Sequence, residues 1–337
     1  MKRAYPKKNS STEHATHTKD SAHARWVLLG AIAIDVLWGE LPDIVHPVRW
    51  LGVAIDRRFE PLRDTYGTRQ RLRGAKETVR MIGRSAAWAH AADRLAQKAP
   101  TPWNIVGRAM ILTPSFACRT LIDAADRVAA PLEAGDLGGA RDGLSWLCSR
   151  DPATLDATDL ASATIASLAE NSCDSAVASM IAWTLGGAWA AWALRAVNTL
   201  DAMVGYRGVW EDAGKSAAIL DDCANYLPAR CTGLLIVCAA AILGYDAQNA
   251  WRIMRRDHHK TPSPNGGWPM AAMAGALHVR IDKPGVYTLM PEGRDAGVAD
   301  IRAAQRIARW TMYLSMLGAA IAARPRFGSS HTGGTRV

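Results

Sequence analysis

The sequence predicts a mainly α-helical protein, a multi-helix bundle that is integral to a membrane or associated with one, with re-entrant or amphipathic helices. Apolar residues recur at helical spacing, and no stretch alternates apolar and polar residues for long enough to build a sheet. Residues 175–194 carry no charge over 20 residues, the length of a membrane span. The chain has 13 Trp but only three Phe, and Trp favours membrane interfaces. A buried helix of a soluble bundle is the alternative for residues 175–194.

The chain divides into three parts by composition. Residues 1–25 are polar and basic, which predicts a disordered N-terminal extension. Residues 26–323 are expected to form a single helical domain, and residues 324–337 a flexible tail. At the start of the domain, residues 26–38 are apolar but too short to span a bilayer, and glycine and proline follow them. This pattern favours a dip into the membrane and a return.

The remaining apolar segments predict further helices. Residues 74–98 have the spacing of an amphipathic helix, and residues 103–149 look like two helices around a turn at Glu133–Gly135. Residues 231–245 and 310–323 are shorter apolar segments, which fit either a membrane or a soluble core.

The basic charge has two possible partners. The net charge is +9, and much of it lies at the N-terminus and in residues 57–84. Such a stretch fits either a cytoplasmic flank near anionic lipid or a nucleic-acid surface. Because no nucleic-acid-binding motif accompanies it, we expect membrane lipid and no nucleic acid as a partner.

Three pairs of Asn and Asp with the same i,i+3 spacing stand out in otherwise apolar sequence. Residues three apart share one face of a helix, so three helices are each expected to present an amide and a carboxylate. Such groups are costly to bury without a proton or a cation. Helix capping explains a single pair, but three pairs favour a metal site. The pairs are Asn171/Asp174, Asn198/Asp201 and Asp222/Asn225, with Glu170 and Asp221 beside them.

Two further segments are candidates for binding anions. Ser263 and Asn265 precede a pair of glycines, where exposed backbone N–H groups suit phosphate. An ordinary connection is equally consistent, and the segment lacks the pattern of a Walker A loop. His46 lies between two prolines with Arg49 three residues on, which fits either an acidic ligand or a structural turn.

Taken together, these segments resemble one family, the CobD/CbiB cobalamin-biosynthesis proteins, which are adenosylcobinamide-phosphate synthases. The matching stretches occur in family order and cover roughly residues 26–310. They are DVLWGELPDIVHPVRWLG (35–52), LSWLCSRD (144–151), SLAENSCDSAVAS (167–179), RAVNTLDAMVGY (195–206), LDDCANYLPAR (220–230) and SPNGGWPMAAMAGAL (263–277).

The resemblance implies an ATP-dependent, Mg²⁺-dependent ligase. Such an enzyme joins the free propionate of a corrinoid, adenosylcobyric acid, to (R)-1-amino-2-propanol or its O-phosphate, giving adenosylcobinamide (phosphate). The sequence leaves the choice of amine open. The resemblance also implies a protein of the cell (inner or cytoplasmic) membrane, multi-pass or partly embedded. Its active site is expected toward the cytoplasm, with other cobalamin-pathway enzymes as further partners.

Roles in that reaction can be assigned as hypotheses. We expect the metal to be held among Asp174, Asp201, Asp221 and Asp222. Glu170 is the candidate general base, and Asp174, Asp201 and Arg230 complete the predicted catalytic group. The predicted contacts to substrate or phosphate are His46, Arg49, Asn171, Arg195, Asn198, Asn225, Ser263 and Asn265.

The chain departs from the family pattern in three places. The N-terminal extension has no counterpart in the motifs. The family usually has a strongly apolar segment near residues 75–98, which is charged here, and this lowers the expected number of spans. Ala178-Ser179 stands where the family often has Ala-Pro, so a proline kink is absent.

Two functions from other classes stay open at this point. One is an intramembrane prenyltransferase-like enzyme, because NTLD echoes Asp-rich diphosphate sites, although a longer DxxxD-type motif is missing. The other is a non-catalytic membrane scaffold that binds a corrinoid for other enzymes. ATP consumption that needs both the corrinoid and the amine would separate the ligase from both.

Overall fold

Helices dominate the chain in this computed structural model, which describes residues 10–39, 42–148, 150–206 and 208–323. The helices are α1 (Ser10–Trp38), α2 (Pro47–Phe59), α3 (Gly67–Ala96), α4 (Trp103–Leu112), α5 (Cys118–Glu133), α6 (Leu137–Leu144), α7 (Ala157–Ser172), α8 (Ala178–Gly186), α9 (Ala188–Val204), α10 (Lys215–Ala224), α11 (Tyr226–Leu243), α12 (Ala247–Asp257), α13 (Gly267–Leu277) and α14 (Val298–Ala322). The predicted mainly α-helical fold class is confirmed.

The one sheet of the described chain is a small hairpin between α13 and α14. Its strands are β1 (Ile281–Lys283) and β2 (Tyr287–Leu289). They pair antiparallel with Ile281 opposite Leu289, and both of these side chains are fully buried. The turn between them contains Gly285 at φ 72°, a left-handed conformation that glycine adopts without strain.

The main hydrophobic core surrounds α7 and α13. Helix α7 starts with a capping box in which Asp156 and Asp159 bond each other's backbone N–H, and nearly all of its later residues are buried. Helix α13 is buried along nearly its whole length, and its Ala and Gly residues let α11 and α12 approach closely. Helices α5 and α14 pack against α7. Burial of a side chain such as Leu160 contributes about 1.5–3 kcal/mol.

A second, smaller core joins α2 and α3 to α9 and α10. Its members include Phe59, Met81 and Leu200, all nearly or fully buried. Gly74 of α3 lies against the backbone of Ala213, so closely that a Cβ atom there would collide with the Ala213 carbonyl oxygen. This core fixes α9, and with it the polar pair Asn198/Asp201, against α2 and α3.

The uncharged run at residues 175–194 does not form one membrane span, so that prediction is wrong. A π-helical turn occupies Cys173–Val177, α8 ends at Gly186, and Gly187 at φ 86° starts α9 in a new direction. Within the described residues, two segments are long and apolar enough to cross a membrane, Trp103–Glu133 and Tyr226–Leu243. Two such segments give limited support to membrane association.

Other segment predictions have mixed outcomes. The amphipathic helix predicted at residues 74–98 is present as part of α3. Residues 103–149 form three helices, α4 to α6, instead of two, although the predicted turn after Glu133 is correct. Residues 26–38 are the last part of α1, and their dip into a membrane stays a prediction.

The chain ends lie partly outside the described residues. Helix α1 already begins at Ser10, so residues 10–25 are helical where disorder was expected. Residues 1–9 of the predicted extension, and the predicted flexible tail at 324–337, lie outside the described residues.

Candidate functional site

A cluster of carboxylates and carboxamides forms where α7, α9, α10, α11 and the loop before α13 meet. A cavity of about 40 Å³ lies at its centre. This volume admits an ion or a water molecule, whereas larger ligands must bind over its opening. The cavity is lined by Glu170, Cys173, Asp174, Asp221, Asn225, Ala229, Ser263, Asn265, Gly266 and Pro269.

The first wall of the cavity comes from the end of α7 and the π-helical turn that follows it. Glu170 stands in the last turn of α7, and Asp174 stands in the π-helical turn Cys173–Val177. Such wide turns occur mostly at functional sites, because the extra residue redirects side chains. Both carboxylates face the cavity. Glu170 keeps contact with solvent, and Asp174 is half-buried.

Asp221 connects three helices through its carboxylate. Its Oδ1 atom accepts hydrogen bonds from Asn198 Nδ2 of α9 at 2.7 Å and from Asn225 Nδ2 at 3.0 Å. Asn225 lies between α10 and α11 and is almost fully buried. Asn198 and Asn225, from the second and third Asn/Asp pairs, therefore meet at Asp221.

Three carboxamide oxygens of the cluster lack a hydrogen-bond donor within the described part of the chain. They are Oδ1 of Asn198, of Asn225 and of Asn265, and all three atoms are buried. A buried polar atom without a partner is unfavourable by about 1–3 kcal/mol. Oxygens of this kind are ligands for hard cations and acceptors for an ammonium group. The donor set therefore fits a cation.

The carboxylates repel one another in a poorly solvated place. Burial raises the pKa of Asp221 to about 7, and the nearby charges of Asp201 and Asp222 add to the rise. Burial also raises the pKa of Asp174 well above its usual range, with further repulsion from Asp221 and Glu170 and an opposing effect of Arg195.

The pKa values of the outer carboxylates of the cluster are raised as well. Burial raises the pKa of Glu170, although Lys283 opposes the rise. Burial and the charge of Asp222 raise the pKa of Asp201, and burial raises that of Asp222 against a hydrogen bond from Ser263. Shifts in this direction favour the uptake of protons or of a cation by the cluster.

The predicted metal ligands Asp174, Asp201, Asp221 and Asp222 are neighbours, but they do not form a closed metal site. Among the described residues, no three His, Cys, Asp or Glu side chains are placed to hold one ion. Proteins usually bind Mg²⁺ through one or two carboxylates, with water and ligand phosphate completing the octahedron. Asp221 and Asp174, beside the amide oxygens, are the carboxylates that would hold such an ion.

The loop before α13 is tied to the end of α10. Ser263 Oγ donates to Asp222 Oδ1 at 3.3 Å, and Asn265 Nδ2 donates to the Asp222 carbonyl oxygen at 2.8 Å. Gly266 follows, and a Cβ atom there would lie 2.5 Å from Glu170 Oε1. Ser263 and Asn265, predicted from a separate segment, therefore belong to this site.

The two predicted arginines lie in different surroundings. Arg195 of α9 is close enough to lower the pKa of Asp174, so it belongs to the cluster. Arg230 donates to the carbonyl oxygen of Tyr226 at 2.5 Å, and its guanidinium lies 3.4 Å from the Tyr226 ring and 4.8 Å from that of Trp268. Its predicted contact with phosphate stays a prediction.

Three other predicted residues lie at the edge of the site or beyond it. Asn171 Nδ2 donates to the carbonyl oxygen of Leu147 at 3.4 Å, a contact that holds it toward the loop after α6. His46 is buried just before α2, and Arg49 is exposed in its first turn. Because α2 packs along α9, Arg49 lies on the neighbour of the helix that carries Asn198, and His46 lies directly before that neighbour.

The structure adds charged and polar residues that the sequence did not indicate. The β1–β2 hairpin brings Lys283 and Tyr287 near Glu170, and Arg150 donates to the Asp282 carbonyl oxygen at 3.2 Å. Burial and the charge of Glu170 raise the pKa of Tyr287 to about 12. Three-residue strands are too short to show an alternating pattern, and only the Pro-Gly pair of the turn marked this place.

Comparison with known proteins identifies the family. The CobD/CbiB protein family matches residues 28–311. The chain belongs to this family. The probable cobalamin biosynthesis protein CobD of Methanothermobacter thermautotrophicus is 40% identical over 264 residues, which cover 78% of this chain and 86% of the relative.

Other CobD/CbiB relatives match the chain with similar identity and coverage. The cobalamin biosynthesis protein CobD of Rhodobacter capsulatus is 39% identical over 77% of this chain and 82% of its own length. That of Klebsiella pneumoniae is 38% identical over 75% of this chain and 81% of its own length. No solved structure matches the chain. The resemblance drawn from the six sequence stretches is confirmed.

Proposed function

We propose that this CobD/CbiB protein acts in cobalamin biosynthesis as an ATP-dependent ligase. It joins the free propionate of adenosylcobyric acid to (R)-1-amino-2-propanol or its O-phosphate. The observation that carries the proposal is the cluster in which three donor-less amide oxygens, of Asn198, Asn225 and Asn265, surround repelling carboxylates. A cation with a phosphate-bearing ligand satisfies both groups at once.

The proposed reaction accounts for a site in which carboxylate and amide oxygens surround a cation. A carboxylate and an amine do not condense unaided near neutral pH. Transfer of a phosphoryl group from ATP to the propionate gives an acyl phosphate, which the amine attacks with release of phosphate. Catalysis of such a transfer consists mostly of positioning and of neutralising charge. Mg²⁺, bound by Asp221 and Asp174, would supply part of that neutralisation.

The side chains of the site divide the remaining work. Arg195, beside Asp174, is placed to balance charge on the phosphoryl group. Ser263 and Asn265, bonded to Asp222, hold the loop before α13 beside the proposed phosphate position. Glu170 is the candidate base for the ammonium proton, because its raised pKa brings it closer to the working pH. Lys283 opposes that rise.

Membrane association is part of the proposal. Helix α11 starts directly after Asn225, so a candidate membrane helix begins at the site. Only 39% of its apolar window is buried, which leaves most of that face for lipid. The site would then lie at the surface of the inner membrane, open to the cytoplasm, where ATP and other pathway enzymes are found.

A reconstituted reaction tests the proposal. Purified protein is supplied with adenosylcobyric acid, MgATP and either amine, and the product mass and ADP are measured. We expect ADP to form only when corrinoid and amine are both present, with a product heavier by the amine less water. Asp174→Asn and Asp222→Asn should each lower turnover about a hundredfold or more. Asp295→Asn, in an exposed ion pair with Arg280, is the control and should keep wild-type turnover.

Wild-type turnover in both Asp174→Asn and Asp222→Asn would reject the assignment of the reaction to this carboxylate cluster. Tight binding of the corrinoid with no ATP consumption and no product, the behaviour expected of a corrinoid carrier, would reject the ligase itself. The product masses with the two amines would also decide which amine the enzyme uses.

A further inference from the structure

A groove between α2 and α3 lies away from the carboxylate cluster and joins two adjacent cavities, of about 430 and 380 Å³. Both cavities are bordered by Arg57 and Arg58, from the last turn of α2. Because the chain reverses between the two helices, Trp50 at the start of α2 shares a cavity with Arg84 far along α3. The groove therefore follows the whole length of α2.

The basic residues of the groove lack acidic partners. Within the described residues, no carboxylate lies within 4.0 Å of the five cationic groups that line it, which are Arg57, Arg58, Arg73, Lys76 and Arg84. All five side chains are exposed. The acidic residue in the lining, Glu77, is paired with Arg80 at 2.5 Å. Five unpaired cations on two facing helices attract a concentrated negative charge.

The other end of the groove has apolar side chains beside Arg84. Trp50 is 55% exposed and Val53 is 45% exposed, and the buried Met81 forms the floor between them and α3. Trp50 Nε1 donates to the Ile44 carbonyl oxygen at 3.0 Å, and the Ile44 side chain is 86% exposed. An exposed apolar surface therefore continues beyond the groove at this end.

We propose that this groove binds the phosphate headgroup of an anionic phospholipid. The phosphate lies between Arg57, Arg58 and Lys76, and the acyl chains follow Trp50 and Ile44 into the bilayer. A free nucleotide or inorganic phosphate matches the cationic end but has no acyl chain for the apolar end. Tryptophan and arginine at neighbouring positions are suited to the headgroup level of a membrane. The proposal does not depend on the ligase reaction.

Lipid titration of the full chain in a neutral detergent, followed by native mass spectrometry, tests the groove. We expect phosphatidylglycerol to bind at least tenfold more tightly than phosphatidylcholine. Removing two cations in Arg57→Gln/Arg58→Gln should weaken phosphatidylglycerol binding about 30-fold, since each basic residue at a lipid surface contributes roughly fivefold. The matched control Arg255→Gln/Arg309→Gln removes two exposed charges from other helices and should bind as the wild type does.

Two further arms complete the experiment. Arg57→Lys/Arg58→Lys keeps the charge and should retain most of the affinity, and circular dichroism checks that each variant keeps its helices. Equal affinity for the two lipids, or an equal loss in the control variant, would overturn the proposal. Displacement of phosphatidylglycerol by submillimolar ATP or inorganic phosphate would overturn it in favour of a soluble phosphate ligand. If the Gln pair fails to fold, Lys76→Gln/Arg84→Gln tests the same charge on α3.

Discussion

Replacing Asp221 by Asn should stabilise the protein at neutral pH when no divalent cation is present. Asp221 is half-buried, and its surroundings raise its pKa from 3.8 to about 7. In the unfolded chain the same group ionises near 3.8. Between these two values the folded protein holds a proton that the unfolded chain has released. The free energy of unfolding therefore falls as the pH rises from about 4 to about 7.

The size of the effect follows from the shift. One pKa unit corresponds to about 1.36 kcal/mol. Allowing for the partial solvent access of Asp221, the free energy of unfolding is lower by about 2–4 kcal/mol above pH 7 than near pH 4. Asn has no charge to lose, and its Oδ1 can still accept the hydrogen bonds from Asn198 and Asn225. The Asn variant should match the wild type near pH 4 and exceed it by this amount at pH 8.

Thermal unfolding with EDTA, followed by tryptophan fluorescence from pH 4.5 to 8.5, measures the difference. We expect the Tm of Asp221→Asn to exceed that of the wild type by about 3–6 °C at pH 8. Adding Mg²⁺ should raise the wild-type Tm and leave the variant nearly unchanged. Asp295→Asn serves as the exposed control. A variant that is less stable than the wild type at pH 8 without Mg²⁺ would refute the reasoning, because Asp221 would then be stabilised as an anion by other groups.

Two glycines provide further tests. Gly266→Ala places a Cβ atom 2.5 Å from Glu170 Oε1 and should lower ligase turnover about a hundredfold by displacing that carboxylate, whereas Gly318→Ala, which faces open space, should leave turnover unchanged. Equal turnover in both variants would reject the proposed role of Glu170 as general base. Gly74→Ala drives a Cβ atom into a backbone oxygen and should lower the free energy of unfolding by about 1–3 kcal/mol. Gly83→Ala, on the same helix in open space, should raise it by about 0.5–1 kcal/mol in chemical denaturation, and a stabilising Gly74→Ala would contradict the close packing of α3.

The polar centre of the site was predictable because its residues obey a simple energetic rule. Asn198 and Asp221 lie in helices and Asn225 lies between two of them, in largely apolar sequence where an amide or a carboxylate needs a partner. Helical spacing placed each pair on one face, and the burial of those faces required the pairs to meet. The hydrogen bonds from Asn198 and Asn225 to Asp221 are the result.

Other parts of the site depend on backbone geometry that the sequence does not reveal. Gly186 and Gly187 fit close helix packing as well as a break, and the break appears only in the φ of 86° at Gly187. Lys283 reaches Glu170 through a hairpin with three-residue strands, below the length at which alternation is visible. Arg230 stacks on Tyr226, a partner one helical turn earlier, so its charge alone was a poor guide to its contacts.

Two helices, α11 and α13, begin at the edges of the same cavity, directly after Asn225 and Gly266. A helix start carries about half a positive charge on its free N–H groups, and it lies here beside carboxylates of the opposite sign. At Asn225 the end of α10 meets the start of α11 and offsets its charge, so the start of α13 is the positive helix end at the cavity. The site consequently offers a place for each half of a neutral ion pair. A metal ion alone meets this positive helix end, and a phosphate alone meets the carboxylates. The two together should bind far more tightly than either one, so the affinity for nucleotide and the affinity for Mg²⁺ should each depend on the presence of the other.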